Sequence, residues 1–370
     1  MFEPTFSLTP AIAKALMEIE ACRQAITRLP LSVPMLESLR KTARLLSTHF
    51  STQIEGNKLS ASQVEEVIAG GGRFPGRERD EAEVRNYYLA LEFVVALGRA
   101  KERLTEKTVR MIHGLVLTGQ QKPTKYRDAQ NVIRDGRTGA IVYLPPEAKD
   151  VPGLMKDLVA WIDAEIQRDE LPIPVIAGLA HYQFATLHPY YDGNGRTARL
   201  LTTLLLHRGG YGLHGIYSLE EYYAKNLSSY YQALAVGASH NYYFGRAEAD
   251  VTRFLTYFTL GMADSFAKVR SRAEDAERLG EPDQTTTLRD LDARQRKALA
   301  LFLKSVTVSS GDVAAFFGMF ARPAAALCVK WVEKGFLDIA DPSKKARRYR
   351  LTGKYEGLVT TQAKKKFKRS

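Results

Sequence analysis

Between Ala11 and Arg272 apolar residues return every three or four positions with few interruptions, and a chain that holds this period for so long buries its hydrophobic side chains as packed helices. The runs are Ala11 to Leu29, Met35 to Phe50, Glu81 to Leu97, Thr105 to Leu117, Val151 to Arg168, Val175 to Leu187, Arg196 to Arg208, Ser218 to Val236 and Ala249 to Arg272. Pro30 and Pro34 separate the first two, which predicts a helical hairpin. Between Gln120 and Pro146 the pattern changes. There Asp135-Gly136 and Thr138-Gly139 supply turn chemistry and Ala140 to Leu144 is short and apolar, so a β-hairpin flap is expected.

The segment from Leu279 to Thr287 is polar, carries Gly280 and Pro282 and has no periodicity, which marks a linker. Beyond it Asp292 to Lys304, Ser310 to Phe317 and Arg322 to Lys334 read as three short helices. Strands at Phe336 to Ile339 and Arg347 to Leu351 follow, around a basic turn containing proline. That order predicts a winged helix after a mainly α body. Lys+Arg number 53 against 41 Asp+Glu, a net +12. From Lys344 to Ser370 eleven Lys or Arg stand against Glu356 alone, so +10 of that charge sits at the C-terminus. A nucleic-acid argument therefore applies to this end and not to the nearly neutral body. Cys22 and Cys328 lie far apart without a CxxC partner, so they read as small core hydrophobes rather than a zinc or disulfide framework. No stretch approaches the roughly 20 unbroken apolar residues of a membrane span. A soluble, cytoplasmic protein with no membrane partner is expected.

The helical run from Ile176 ends at His188, because Pro189 disfavours the helical region for the residue before it. Tyr190-Tyr191-Asp192-Gly193-Asn194-Gly195 follows, and a new helix is expected near Arg196. The glycines permit crowded or left-handed backbone, and main-chain N–H groups converging at a helix N-terminus favour an anion such as phosphate. Arg196 and Arg199 fall on one face near the helix start, where guanidinium groups can grip further phosphate oxygens. Asp192 offers the hard oxygen that Mg²⁺ takes beside phosphates. His188 is the proton acceptor of the run, able to take a proton from an attacking hydroxyl.

His188 to Arg199, HPYYDGNGRTAR, resembles the Fic family signature HPFxDGNGRxxR at every fixed position except Tyr190, where phenylalanine is usual. The resemblance implies that His188 is the base, Asp192 the Mg²⁺ ligand, Gly193, Asn194 and Gly195 the anion hole, and Arg196 and Arg199 the phosphate binders. It implies a Fic core at 111–278 after an N-terminal helical region at 1–110, with a winged helix at 288–353 and a basic tail at 354–370. The hairpin at 131–144 corresponds to the family's flap, which holds a target segment by strand pairing. Tyr223, Tyr230 and Tyr231, in the Tyr222-Tyr223 and Tyr230-Tyr231 pairs, resemble the adenine surround, although tyrosines at helical spacing are also what a core provides.

Ser51 to Asn57, STQIEGN, resembles the Fic inhibitory motif (S/T)xxxE(G/N), with Ser51, Glu55 and Gly56 in its fixed positions. By that analogy Glu55 pairs with Arg199 and denies it to the γ-phosphate of ATP. The implied activity is transfer of AMP from ATP to Ser, Thr or Tyr hydroxyls of target proteins and of the chain itself, with Mg²⁺, restrained by Glu55. The competing expectation is a winged-helix DNA-binding regulator in which the Fic core has a secondary or different activity, removal of AMP or transfer from another nucleotide. Arg322 to Lys334 would enter a groove and Lys344 to Arg350 would form a basic wing, although Ala324, Ala325 and Ala326 offer little side chain to read bases. A protein-docking wing or a homodimer contact is the other use of that unit.

Overall fold

Thr9, whose hydroxyl accepts from the Ile12 N–H, and Pro10 at the first helical position start α1 (Pro10–Arg28). Ile12, Ile19 and Ile26, seven residues apart, form its buried stripe. This computed structural model describes residues 2–29, 31, 33–100, 102–134, 138–237, 239–279, 290–302, 305–343, 347–356 and 358–359. They fall into two compact units, 1–278 and 279–370.

In the first unit α1 is followed by α2 (Val33–Ile54), α3 (Ala61–Ile68), α4 (Glu78–Gly98), α5 (Glu106–Thr118), α6 (Val151–Arg168), α7 (Ile173–Leu187), α8 (Asn194–Arg208), α9 (Glu220–Lys225), α10 (Leu227–Leu234) and α11 (Thr252–Leu279). The expected hairpin of α1 and α2 is not a packed pair. The main neighbours of α2 are α9, α4 and α3, since its apolar face has a larger core to cover there. The single helix expected over Ser218 to Val236 is two. Asn226 takes the Tyr222 carbonyl with its own side-chain amide (2.9 Å) and leaves helical geometry between α9 and α10.

α7 is apolar almost all round, and such a helix belongs in the middle. It packs between α6 and α8, while α8 also contacts α4 and α5. The loop joining α7 to α8 is therefore held at both ends by buried helices. β1 (Ile133–Arg134) and β2 (Ile141–Tyr143) pair antiparallel across a bulge. The Asp135-Gly136 turn between them lies outside the described residues. The flap is fastened to α7: the buried Tyr143 donates to the Thr186 carbonyl (2.9 Å), and the Arg246 guanidinium lies 5.2 Å above its ring. Beyond β2, Leu144 forms a parallel bridge with Asn241.

The second unit contains α12 (Ala293–Phe302), β3 (Val308–Ser309), α13 (Ser310–Phe317), α14 (Ala321–Glu333), β4 (Leu337–Asp341) and β5 (Arg348–Leu351). Ser309 and Asp312 form a reciprocal cap at the start of α13, and Gly318, at φ 62°, ends it. The sheet is antiparallel in the order β3-β5-β4. Trp331, Phe336, Cys328 and Tyr349 centre its own core. Residues 344–346 of the expected wing, the linker beyond Leu279 up to Thr287, and the Lys364 to Arg369 tail lie outside the described residues. Cys22 and Cys328 are both buried and unpaired. Among the described residues no single helix is long and apolar enough to cross a membrane.

Candidate active site

His188 caps α7, its N–H donating to the Phe184 carbonyl at 3.1 Å. Its backbone is left-handed (φ 47°, ψ 58°), outside the helical region that the following proline disfavours. The left-handed region also avoids the clash that Pro189 makes with a helical residue, and it turns the chain back towards α8. Arg127 fixes this conformation, its Nε donating to the His188 carbonyl (3.0 Å) and its main-chain N–H to the Pro189 carbonyl (2.9 Å).

Asn194 closes the loop on itself. Its Oδ1 accepts from the Tyr190 N–H (3.0 Å) and its Nδ2 donates to the Tyr190 carbonyl (2.8 Å). The side chain read as part of an anion hole is thus spent on loop shape, and only its main-chain N–H is free for that role. Gly193 sits at φ 76°, where a Cβ would also stand 3.3 Å from His113 Nε2 and from Val116 Cγ1. α8 begins at Asn194, two residues before the expected Arg196, and no side chain caps it. Its first bond runs from the Thr197 N–H to the Gly193 carbonyl (2.9 Å), so the N–H groups of Asn194, Gly195 and Arg196 have no acceptor within the helix. Three such donors at the positive end of a buried helix suit a phosphate.

Both arginines are 2% exposed and both are held by carboxylates. Arg199 donates from Nε to Ser51 Oγ (2.8 Å) and from Nη2 to the Ser51 carbonyl (3.0 Å) and Glu55 Oε1 (2.8 Å). Burial works against its charge, yet Glu55, with smaller contributions from Tyr230 and Tyr87, more than offsets it and holds the guanidinium more firmly protonated than usual. Glu55 Oε1 lies only 2.4 Å from where a Gly195 Cβ would stand, so the carboxylate rests against the first turn of α8 and Gly195 makes room for it. Gly56, at φ 96°, ends the last turn of α2 and brings Glu55 to this point.

Arg196 donates from Nη2 to Asp192 Oδ1 (2.9 Å), and its Nη1 lies 3.9 Å from Glu83 Oε1. The Asp192 side chain remains half exposed. Burial would raise its pKa, but Arg196, the Gly193 N–H and Arg79 together bring it below the ordinary carboxylate value. It is a hard, ionised oxygen donor with room beside it, which fits Mg²⁺. No cluster of three or more His, Cys, Asp or Glu exists among the described residues, so a cation here would complete its shell from phosphate and water. Burial pushes the His188 pKa down to about 4, with a hydrogen bond to the Ala185 carbonyl opposing the shift. The imidazole is therefore neutral near pH 7. One ring N–H is held by Ala185, and among the described residues no bond is seen to the other nitrogen, which can accept a proton.

Three participants gave no sequence signal. His113 stacks on Tyr190 (3.5 Å between ring centres, 5° apart), and burial pushes its pKa down to about 4. A carbonyl can only accept, so His113 Nε2–H donates to Asp192 O (2.9 Å) while Nδ1 accepts from the Thr124 hydroxyl (2.7 Å). Asn57 donates to the Asp80 carbonyl (2.9 Å) and Glu83 Oε2 (3.3 Å), linking the Glu55 turn to the carboxylate behind Arg196. Arg127 is the third. The adenine assignment is corrected for two tyrosines. Tyr223 and Tyr230 are each 2% exposed and stack on one another at 5.1 Å, with the Tyr230 hydroxyl on His181 Nε2 (2.8 Å). They are core, because α9 and α10 turn those rings inward; Tyr231 is 51% exposed.

These features define a helical domain built around an uncapped helix start, with a neutral histidine at its rim, a carboxylate beside it and two buried arginines along it. Residues 103–206 match the Fic/DOC family model. "Protein adenylyltransferase Fic" of Drosophila willistoni is 29% identical over 199 residues, 54% of this chain and 39% of that protein. Its counterpart in Drosophila grimshawi is 30% identical over 201 residues, 54% of this chain and 40% of that protein. The chain thus spans about two fifths of the curated relatives it matches. Among solved structures, a Fic family protein from Desulfovibrio desulfuricans G20 covers 95% of this chain and 99% of its own at a TM-score of 0.59 and 24% identity, a likeness of fold. Fic-1 from C. elegans covers 73% of this chain and 74% of its own, with TM-score 0.56 and 25% identity.

Proposed function

We propose that the chain is a protein adenylyltransferase that moves AMP from ATP to a protein hydroxyl and that Glu55 restrains it. The observation that carries this reading is the grip on Arg199. The uncapped start of α8 and two buried arginines make a triphosphate site, and a carboxylate from α2 lies across it at 2.8 Å from Arg199. The relatives named protein adenylyltransferase support the reaction class. A hydroxyl presented beside His188 loses its proton to the free ring nitrogen, and its oxygen bonds to the α-phosphorus. The bond from that phosphorus to the bridging oxygen breaks, and pyrophosphate leaves. The first turn of α8 and Arg196 take up charge on the phosphates. Asp192 would hold Mg²⁺, which supplies further charge neutralisation at the phosphates when bound. The flap at 131–144 is the surface against which a target segment pairs.

The test is labelling with ATP carrying an α-phosphate label. Glu55→Gly should raise self-labelling at least ~10-fold, since the pair it removes is charge-assisted and partly buried. His188→Ala in that background should abolish labelling while nucleotide still binds. Equal labelling of Glu55→Gly and the parent would sink the restraint, and labelling without His188 would remove it as base.

The second reading concerns the C-terminal unit, read as a winged helix, and rests on its charge. Arg322, Lys330 and Lys334 on and just after α14, and Arg348 and Arg350 on β5, are all exposed. Ala324 faces its core and carries no base contact. Duplex DNA binding that falls steeply with salt supports it; no binding at low salt retires it.

A further inference from the structure

Arg127 is 3% exposed, yet among the described residues no carboxylate pairs with it. Its guanidinium is satisfied by three carbonyls from three places: Nε donates to His188 O (3.0 Å), Nη1 to Ala129 O (3.2 Å) and Nη2 to Pro146 O. Ala129 leads into the flap and Pro146 leads out of it. Burying a guanidinium without a counter-ion costs several kcal/mol, so a neutral staple would be the cheaper structural solution. What arginine alone offers is a rigid fork of five donors, wide enough to reach all three carbonyls. Other bonds tie the flap roots to the loop, such as the Ala129 N–H to Tyr191 Oη at 2.9 Å and Gln130 Nε2 to Pro145 O at 3.0 Å. Arg127 reaches the peptide of the residue that carries the base. Its charge also disfavours a proton on His188, after burial itself, whereas Glu55 and Asp192 favour one.

We propose that Arg127 is a positioning residue for AMP transfer, holding both roots of the flap and the His188 peptide on one guanidinium so that a hydroxyl on a flap-paired segment meets the base in register. The inference rests on the transfer reading above. In the step it serves, the proton of that hydroxyl passes to His188, the new oxygen–phosphorus bond forms, and pyrophosphate departs with the electron pair of the broken bond. A displacement of about 1 Å between base and hydroxyl costs such a step on the order of 100-fold. The phosphate site, built from α8 and its arginines, does not contact the Arg127 guanidinium and should bind ATP as before.

The experiment uses the full chain carrying Glu55→Gly, with Arg127→Lys and Arg127→Gln added singly, and follows α-phosphate label on the protein at saturating ATP from pH 4 to 9. Both variants should label on the order of 100-fold more slowly with the half-saturating ATP concentration unchanged. In Arg127→Gln the acid limb of the rate profile should move to higher pH, because the neighbouring positive charge is gone; in Arg127→Lys it should stay. Thermal unfolding checks each fold, and Arg127→Lys carries the test if Arg127→Gln does not fold. Parental rates in both variants overturn the proposal, as does a loss of ATP binding parallel to the loss of rate, which would make Arg127 scaffold for the whole site. No label in Glu55→Gly itself overturns the transfer reading first, and this inference with it.

Discussion

At His188 the pKa argument gives a sign and a window. Burial holds the neutral imidazole, with the pKa pushed down to about 4, so the base is available at all pH values well above that. Glu55 raises this pKa by its charge, and its removal lowers it further. Self-labelling by Glu55→Gly should therefore stay level from pH 8 to about 5 and fall only at or below about 4; an acid limb centred at the ordinary histidine value of about 6.5 would show a solvated imidazole. Asn57 supports a second residue-scale prediction. The turn that presents Glu55 to Arg199 also places Asn57 on Glu83, 3.3 Å away, and Glu83 stands behind Arg196. Asn57→Ala unties the Glu55 turn from Asp80 and Glu83 and should raise self-labelling a few-fold, less than Glu55→Gly does. Parental labelling in this variant would show that the turn holds Glu55 on Arg199 without Asn57. Spacing within one run singled out His188, Asp192, Arg196 and Arg199 as candidates, and Glu55 came from the resemblance of Ser51 to Asn57 to the inhibitory motif. His113, Arg127 and Asn57 escaped because each acts through a main-chain carbonyl or a carboxylate distant in sequence, and such partners leave no pattern along the chain.

At the scale of elements, α2 is held by more than its contact with Arg199. Glu220 on α9 is 2% exposed and accepts from Ser47 Oγ (2.8 Å), Ser218 Oγ (2.9 Å) and Tyr87 Oη (3.1 Å). One buried carboxylate thereby joins α2, α4 and α9, one turn before Ser51. Ser47→Ala removes a donor from a buried acceptor and should destabilise the unit by about 1–3 kcal/mol in denaturant unfolding. Under the proposed restraint it should also raise self-labelling, because α2 is loosened where it carries Glu55; a stability loss without a change in labelling would separate the anchor from the proposed restraint. Helix positions were legible where the apolar period ran unbroken, as in α6, whose observed bounds are the expected Val151 to Arg168. They were misread where a polar side chain intervened. Asn226 broke one expected helix, and Asn194 started α8 early by binding Tyr190 rather than waiting for Arg196. The pairing of α1 with α2 was misjudged for a different reason: adjacency in sequence does not weigh which surface offers more to bury.

For the whole molecule, buried histidines set the response to acid. His113 is 2% exposed and His181 is fully buried, and burial pushes their pKa values down to about 4 and about 3. Burial, and after it the Arg199 charge, keep His181 neutral; the Thr202 hydroxyl donates to the Ala198 carbonyl, so Nδ1–H donates to Thr202 (2.9 Å) and Nε2 accepts from Tyr230 (2.8 Å). In the unfolded chain both histidines titrate near 6.5, so between that value and the folded values the unfolded state binds more protons. Stability contributed by these two groups is intact above about pH 6.5 and is lost as pH falls through that value towards 4, by about 1.4 kcal/mol per pH unit for each. Both lie in the first unit. The 279–370 unit has its own core, and no His occurs in that stretch of the sequence. Calorimetry of the full chain at pH 7.5 and at pH 5 should therefore show the transition of the first unit moving to lower temperature more than that of the second. His181→Gln keeps a donor and an acceptor at the site without a titrating group, and it should shrink the shift of the first transition; an undiminished shift would assign the acid response to other groups.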